Sequence, residues 1–188
     1  MNAIFQPVQH KLTVEAFQDL ARTGHIGEDD RIELIDGVLV EMAPIGNDHA
    51  TAVNRLTRLL VIALGDAGVV SVQNGVALPP HSVPQPDVAV LVPRFREYGA
   101  GAPHPADVLL MIEVADTTLP WDRRTKMPLY ARSGVRESWI VDLRARHIEV
   151  YTGPAGDGYR SCVVHAPGDA ITPSLLPGVP IAVSDVVE

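Results

Sequence analysis

Three residues of types that bind metals or polarise phosphates stand out by their position in the sequence. Asp87 follows Pro86 and precedes the strand-forming residues VAVLV, so its carboxylate is expected at the mouth of a buried strand. Glu113 interrupts the apolar run VLLMIEVA, where an unpaired ionised carboxylate is strongly unfavourable. A positive charge is therefore expected beside Glu113.

Two kinds of positive charge could satisfy these acids. A divalent cation takes hard oxygen ligands such as the carboxylates of Asp87 and Glu113. Lys126, 13 residues after Glu113, could reach the same place across a loop and the start of a helix. Two acids, a metal and a lysine form the minimum set of a metal-dependent hydrolase. The structural alternatives are a turn residue for Asp87 and a partner of a structural Arg for Glu113.

A basic segment lies next to these residues, although the chain as a whole is acidic. The formal net charge is -8, which argues against attraction of nucleic acid by the overall field. Between Arg123 and Arg146, however, seven basic residues stand against two acidic ones, a local net charge of +5. This segment could face a phosphate backbone, with Arg123 and Arg124 as candidate DNA contacts, or its arginines could serve solubility alone.

Length and composition restrict the class of protein. A chain of 188 residues suits one domain, residues 1–188, and is short for two. Hydrophobic residues make up 46% and charged residues 20%, as in a folded soluble protein. The chain shows neither an apolar stretch of roughly 18 residues nor a signal-like start, and its single Cys162 fits a reducing compartment. We expect a cytoplasmic protein with no membrane partner.

The first elements follow from caps, turns and apolar spacing. Thr13 predicts the N-cap of a short helix that ends at Gly24. The dipeptide Asp36-Gly37 between RIELI and VLVEM predicts a tight hairpin, because both residues readily adopt positive φ angles. A longer helix is expected from a cap at Asn47 or Asp48. It should end at Gly65 or Gly68, and its apolar face is formed by Val53, Leu56, Leu60 and Ala63.

The later segments predict a sheet with helices around it. VVSVQNGVAL, DVAVLV and VLLMIEV read as strands, and the last has the continuous apolar character of a strand buried on both faces. Pro128 is acceptable only in a first helical turn, so a short helix is expected from near Lys126 to Ser133. ESWIVDL with HIEVY, and then YRSCVVH, predict further strands. The result is an α/β (α+β) fold with a mixed sheet flanked by helices.

An ordered series of motifs resembles one known family. The motifs are RIELIDG, PIGNDHATAVNRL, QPDVAV, LLMIEV, DRRTK, LYARSGVRESWIVD, IEVY and SLLPGVPI. Over nearly the whole chain they resemble the Uma2 family of endonucleases, a bacterial branch of the PD-(D/E)XK, or restriction-endonuclease-like, superfamily. The resemblance implies a restriction-endonuclease-like fold with a central mixed β-sheet.

The resemblance also implies an active site. Its catalytic residues would be Glu33, Asp87, Glu113 and Lys126. Mg²⁺ or Mn²⁺ would be held by Asp87 and Glu113, with Glu33 helping directly or through water, and would polarise the scissile phosphate. Lys126 would orient or activate the attacking water and stabilise charge on the phosphoryl oxygens.

Each of four residues around this set has more than one possible role. Asp122 and Tyr130 are candidates for supporting the site, but Asp122 could equally cap a helix and Tyr130 could pack beneath it. His49 could face the site or remain a solvated capping group. Asp116, in EVADTT, stands close to the expected metal where relatives usually have a small Ser after the EV motif. Its charge could tighten metal binding or hinder the phosphate.

These features support one leading function and two alternatives. The leading hypothesis is hydrolysis of phosphodiester bonds in DNA by a metal-dependent endonuclease. The second is a catalytically inactive nuclease-fold module that binds nucleic acid or a partner protein. The third is hydrolysis of a small phosphorylated compound, which is favoured if the basic segment faces away from the acids. A homodimer is a further hypothesis, because cutting two strands calls for two sites.

Overall fold

A six-stranded sheet forms the centre of the computed structural model, which describes residues 10–27, 30–94, 98 and 101–188. Two short strand pairs lie outside this sheet. The strands, in chain order, are β1 (Ile32–Ile35), β2 (Val38–Glu41), β3 (Val69–Val72), β4 (Val88–Leu91), β5 (Val108–Ala115), β6 (Glu137–Asp142), β7 (His147–Ala155), β8 (Gly158–His165), β9 (Ala170–Ile171) and β10 (Ile181–Ala182).

The central sheet has the order β3-β4-β5-β6-β7-β8. Its β5–β6 pair is parallel, and the neighbouring pairs on either side are antiparallel. The parallel pair requires a crossover, and the helical stretch after β5 supplies it. The helical elements are α1 (Val14–Arg22), α2 (Asn47–Leu64), α3 (Leu119–Trp121), α4 (Met127–Arg132) and α5 (Ser184–Val187), with a π-helical turn (Asp122–Lys126) between α3 and α4.

The two faces of the sheet are covered by different helices. On one face, Leu56 and Leu60 of α2 pack in one core cluster with Ile112 and Trp139 of the sheet. On the other face, Tyr130 of α4 belongs to a second cluster. Its other members include Leu129, Met111 and Ile140. Because β5 is covered on both sides, it is apolar throughout except for Glu113, as the sequence predicts.

The first hairpin is attached beside the start of β4. Asp36 and Gly37 adopt φ angles of 52° and 84°, which confirms the predicted tight turn between β1 and β2. Leu34 of β1 exchanges backbone hydrogen bonds with Val83, four residues before Asp87. This attachment places Glu33, the neighbour of Leu34, beside the residues that lead into β4.

Several boundaries differ from those predicted. Gly46, and not Asn47 or Asp48, occupies the N-cap of α2, and Leu64 rather than Ala63 is buried at its end. The strand predicted over VVSVQNGVAL ends at Val72, because Gln73 adopts a positive φ of 53°.

The short helix predicted from near Lys126 to Ser133 is confirmed as α4, which runs from Met127 to Arg132 with Pro128 in its first turn. The sequence did not predict that α3 and the π-helical turn lead directly into α4, so that the whole helical stretch starts at Leu119. In the π-helical turn the Met127 N–H donates to the Asp122 carbonyl, five residues back. This wider turn relaxes the clash that a proline causes in a regular helix.

The C-terminal Pro-rich region adds structure that the sequence reading left unassigned. It forms the β9–β10 pair and α5, and Ile181 and Val186 complete the core under α2. Within the described ranges, no helix combines the length and the apolar character needed to cross a membrane.

The packing of α2 leads to a first testable prediction. Leu56 is 0% exposed and Ile62, on the same helix, is 70% exposed. Leu56→Ala should lower the free energy of unfolding by about 2–5 kcal/mol, because it leaves a cavity. The matched change Ile62→Ala should alter it by no more than about 0.5 kcal/mol. Urea unfolding followed by circular dichroism measures both, and equal effects would contradict the packing of α2 described here.

Candidate active site

The predicted acids meet at one end of the central strands. Val88 of β4 pairs with Ile112 of β5, so Asp87 lies beside Glu113, one residue beyond this pair. Glu113 in turn pairs with Ile140 of β6. Since Ile140 belongs to the core cluster that contains α4, the Glu113 side chain points to the face that the crossover helix covers.

Lys126 lies between two carboxylates in the interior. Its Nζ donates to Glu33 Oε1 at 3.0 Å and to Glu113 Oε2 at 3.1 Å. The side chains of Lys126, Glu33 and Glu113 are 2%, 0% and 3% exposed. Burial by itself lowers the pKa of Lys126, but the carboxylates of Glu113 and Glu33 outweigh it and raise this pKa above its ordinary value. Lys126 is therefore an ammonium ion at neutral pH.

Glu113 receives a second donor from the crossover helix. The Tyr130 hydroxyl donates to Glu113 Oε1, while Oε2 accepts from Lys126. Burial raises the pKa of Glu113 well above its usual value, against the opposing effect of Lys126. Burial and the nearby Glu113 charge likewise raise the pKa of Tyr130, which keeps this hydroxyl a donor.

Glu33 has one satisfied and one unsatisfied oxygen. Its Oε1 accepts from Lys126 Nζ and, at 2.7 Å, from the backbone N–H of Gln85. Its Oε2 is buried and has no hydrogen-bond partner. Buried carboxylate oxygens are normally hydrogen-bonded or bound to a cation. The Oε2 atom thus offers a free hard-oxygen ligand inside the site.

Asp87 is held by three donors. Its Oδ1 lies 2.9 Å from His49 Nε2 and accepts from Gln73 Nε2 at 3.3 Å, while Oδ2 accepts from the Val114 N–H at 2.8 Å. Burial raises the pKa of Asp87, but the hydrogen bonds from His49 and Val114 outweigh it and hold this pKa below its usual value. The same hydrogen bond raises the pKa of His49. Asp87 is therefore an oriented, ionised carboxylate.

Asp122 stands on the π-helical turn with Lys126. The Thr118 hydroxyl donates to Asp122 Oδ2 at 2.7 Å. Burial raises the pKa of Asp122 to about 6, although Lys126 and Thr118 act in the opposite direction. Asp122 is 2% exposed and lies inside the helical stretch, where Trp121 and Lys126 are the N-cap residues, so Asp122 is not the N-cap of this helix.

Asp87, Glu113, Asp122 and Lys126 line a cleft of about 220 Å³. Glu33 is not a lining residue and contacts the cleft through Lys126. Arg31 and His49 lie in the wall of the cleft together with the loop that follows β2, and Asp116 also lines it. Asp116, the departure from the family pattern, pairs with Arg144 at 3.1 Å. Its charge is therefore compensated by a cation outside the cleft.

The acids in and next to the cleft fit a divalent cation. The four buried carboxylates of Glu33, Asp87, Glu113 and Asp122 share the single ammonium of Lys126, and Glu33 Oε2 lacks any partner. Hard oxygen donors of this kind are the ligands of Mg²⁺ and Mn²⁺. The residues present are consistent with the predicted metal ligands Asp87, Glu113 and Glu33.

A second acidic group lies two strands away. In the parts of the chain that the structure describes, Asp142, His147 and Glu149 are the group whose ligand atoms already lie within 4.8 Å of one another. Glu149, however, accepts from both Nε and Nη2 of Arg123. A guanidinium ion thus already supplies the positive charge at this group.

The basic segment is largely neutralised by ion pairs. Of its seven basic residues, five pair with acids: Arg123 with Glu149, Lys126 with Glu33 and Glu113, Arg132 with Asp36, Arg144 with Asp116, and Arg146 with Glu188. Arg124 is exposed and forms no ion pair with any described residue. The DNA contacts predicted for Arg123 and Arg124 remain predictions, and Arg124 has the freer guanidinium.

The structure thus places Glu33 and Glu113 around the ammonium of Lys126. Tyr130, Asp122 and Asp87 lie beside them. Sequence reasoning missed the donors that fix these acids, namely Gln73, Thr118 and the N–H groups of Gln85 and Val114. The placement of the Gln73 side chain depends on the left-handed backbone at this residue. The two N–H groups become donors only because distant segments of the chain pack together. Neither feature has a signal in the sequence. His49 faces the site, which is the first of the two roles considered for it from the sequence.

Comparison with known proteins agrees with this architecture. The model of the Uma2 family, described as "Putative restriction endonuclease", matches residues 14–184. The chain is also similar to the crystal structure of "a putative nuclease belonging to DUF820 from Anabaena variabilis ATCC 29413", with 15% sequence identity, a TM-score of 0.72, and coverage of 94% of this chain and 97% of that chain. No curated protein matches the chain. The resemblance stated from the motifs and the restriction-endonuclease-like fold are both confirmed.

The burial of Lys126 leads to a second prediction. Lys126→Met leaves two buried carboxylates without their cation and should lower the free energy of unfolding by about 3–5 kcal/mol in EDTA. Adding Glu33→Gln and Glu113→Gln should recover most of this loss. The chain has one other lysine, the exposed Lys11, and Lys11→Met is the matched control with an effect below about 0.5 kcal/mol. Urea unfolding in which Lys126→Met behaves like the control would contradict the buried ion cluster.

Proposed function

The chain belongs to the Uma2 family, and from this membership and its buried acid–lysine cluster we propose that it is a metal-dependent endonuclease that hydrolyses phosphodiester bonds in DNA. The observation that carries the proposal is the convergence of Glu33 and Glu113 on Lys126, with the oriented Asp87 beside them. We propose further that residues 1–188 act as one domain in the cytoplasm.

The proposed metal is Mg²⁺ or Mn²⁺, held by Asp87 and Glu113 with the help of Glu33. When bound, it would supply Lewis-acid polarisation of the scissile phosphate. The chain contributes the orientation of its own ligands: His49, Gln73 and the Val114 N–H hold Asp87, and Tyr130 holds Glu113. Such supporting hydrogen bonds fix a carboxylate in place before a cation binds.

Lys126 acts as a fixed positive charge in this proposal. Its raised pKa favours the ammonium form, which donates hydrogen bonds and does not accept a proton. Lys126 therefore orients the attacking water and stabilises the charge that develops on the phosphoryl oxygens. Asp122, four residues earlier on the π-helical turn, balances this charge on the side of the cleft.

The DNA substrate would approach over the mouth of the cleft. Arg31 lies in the wall of the cleft, and the exposed Arg124 lies on the same π-helical turn as Lys126. Arginine contacts to phosphate position a nucleic acid without reading its sequence. A homodimer, which would bring two such sites to the two strands of a duplex, remains part of the proposal.

A specific observation favours a second candidate function. Lys126 already bridges Glu33 and Glu113, and five of the seven cations in the basic segment are paired with acids. These features suit a nuclease-fold module that binds nucleic acid or a partner protein without cutting. Metal-dependent cleavage separates the two candidates directly.

The cleavage assay is the third prediction. Purified protein is incubated with plasmid, linear duplex, single-stranded DNA and RNA in Mg²⁺, Mn²⁺ or EDTA. We expect DNA cleavage that requires the metal. The cleavage rate should fall by more than about 100-fold in Asp87→Asn and Glu113→Gln, because loss of a metal ligand costs more than loss of a group that only supports a ligand. A small phosphorylated ester serves as the comparison substrate.

The matched control is Asp185→Asn, which removes an exposed carboxylate from α5 and should leave cleavage unchanged. All variants are first compared with the wild type by circular dichroism. Equal cutting by Asp87→Asn and the control would contradict the assignment of the site. DNA binding without cleavage would identify the second candidate function, and hydrolysis of the small ester alone would identify the third hypothesis.

A further inference from the structure

The ion pair between Arg123 and Glu149 combines several hydrogen bonds outside the acid–lysine cluster. Arg123 Nε lies 3.1 Å from both carboxylate oxygens, and Nη2 also donates to Oε1. Glu149 is 3% exposed and additionally accepts from Tyr151 at 2.5 Å and contacts His147 Nε2 at 3.2 Å. Burial acts to raise the pKa of Glu149, but Arg123, Tyr151 and His147 lower it to about 2.

This pair joins the site to the sheet at a second point. Glu149 of β7 pairs with Ile140 of β6, which pairs with Glu113 of β5. Glu113 and Glu149 therefore lie in one row across the sheet and point to the same face. The π-helical turn reaches this row twice, through Lys126 to Glu113 and through Arg123 to Glu149.

The turn needs a second attachment because it departs from regular helical geometry. A π-helical turn is less favourable than a regular helix and persists where contacts stabilise it. Arg123 lies three residues before Lys126 in this turn. A shift of the turn by one residue would move Lys126 away from Glu33 and Glu113, and the bidentate contact with Glu149 opposes such a shift, because its planar fork geometry is specific.

Other roles for the pair agree less well with these contacts. A DNA contact needs a free guanidinium, whereas Nε and Nη2 of Arg123 are engaged with a buried carboxylate. A metal ion at Asp142, His147 and Glu149 would have to compete with the same guanidinium. Glu149 accepts from residues on two elements and presents no unpaired oxygen in the described structure.

We propose that Arg123 and Glu149 are positioning residues, which hold the π-helical turn in the register that places Lys126 between Glu33 and Glu113. The catalytic consequence rests on the proposed nuclease function. The placement of Lys126 does not, so the two can be tested separately.

The first test measures the protection of Lys126 from an amine-reactive reagent. The chain contains two lysines, the buried Lys126 and the exposed Lys11, so Lys11 is an internal standard for the labelling reaction. We expect Arg123→Gln and Glu149→Gln to speed the labelling of Lys126 by about tenfold or more, as local opening of the turn becomes easier. Peptide mass spectrometry gives both rates.

Two further variants make this test specific. Arg146→Gln removes an ion-paired arginine from a surface pair with Glu188 and should leave the protection of Lys126 unchanged. Arg123→Lys keeps the charge but loses the bidentate fork and should give an intermediate rate. Each variant is labelled at a temperature at which its circular dichroism equals that of the wild type, so that global unfolding does not contribute.

The second test compares DNA cleavage with DNA affinity. Arg123→Gln and Glu149→Gln should lower kcat by about 10- to 100-fold, as is usual for groups that orient a metal site, and leave the Kd for DNA and its salt dependence unchanged. Arg124→Gln should instead weaken DNA binding and flatten its salt dependence, because it removes a phosphate contact.

The outcomes separate this inference from the proposed function. Unchanged protection of Lys126 in both Arg123→Gln and Glu149→Gln would overturn the positioning role. Weaker, less salt-dependent DNA binding in Arg123→Gln but not in Glu149→Gln would overturn it too, and would make Arg123 a DNA contact. Faster labelling of Lys126 in a protein that neither binds nor cuts DNA would support the positioning role while contradicting the nuclease function.

Discussion

A buried ammonium group is stable only where carboxylates surround it, and Lys126 meets this condition with Nζ 3.0 Å from Glu33 and 3.1 Å from Glu113. The three residues come from the first hairpin, the central strand β5 and the crossover helix. Removal of Lys126 leaves two carboxylates without their cation in the core. This contact therefore joins elements that are distant in the chain and makes the site part of the folding core.

Contacts elsewhere in the fold position the residues of this charge cluster. The Leu34–Val83 bridge carries Glu33 to the sheet, and the register of β4 against β5 places Asp87 beside Glu113. The π-helical turn contributes Lys126 and Asp122. The cluster still carries more negative than positive charge, and Glu33 Oε2 has no partner. A site of this kind is disposed to take a divalent cation, in keeping with the Uma2 membership of the chain.

Local signals in the sequence predicted the strands of the central sheet, the Asp36-Gly37 turn and the acid within the apolar run of β5, because each depends on neighbouring residues. Pro128 lies in the first turn of α4 as predicted, but the π-helical turn before it was not predicted. Glu33 could be placed in the site only through the family resemblance. The donors to Asp87, and the commitment of Arg123 to Glu149, arise from long-range packing that no short window of sequence displays.

The anomalous scattering of Mn²⁺ in crystals of the protein tests the central claim most directly, because it locates the cation without relying on activity. We expect an anomalous peak within ligand distance of the carboxylates of Asp87 and Glu113, and its loss in Asp87→Asn. A peak at Asp142, His147 and Glu149 instead, with none at Asp87 and Glu113, would contradict it.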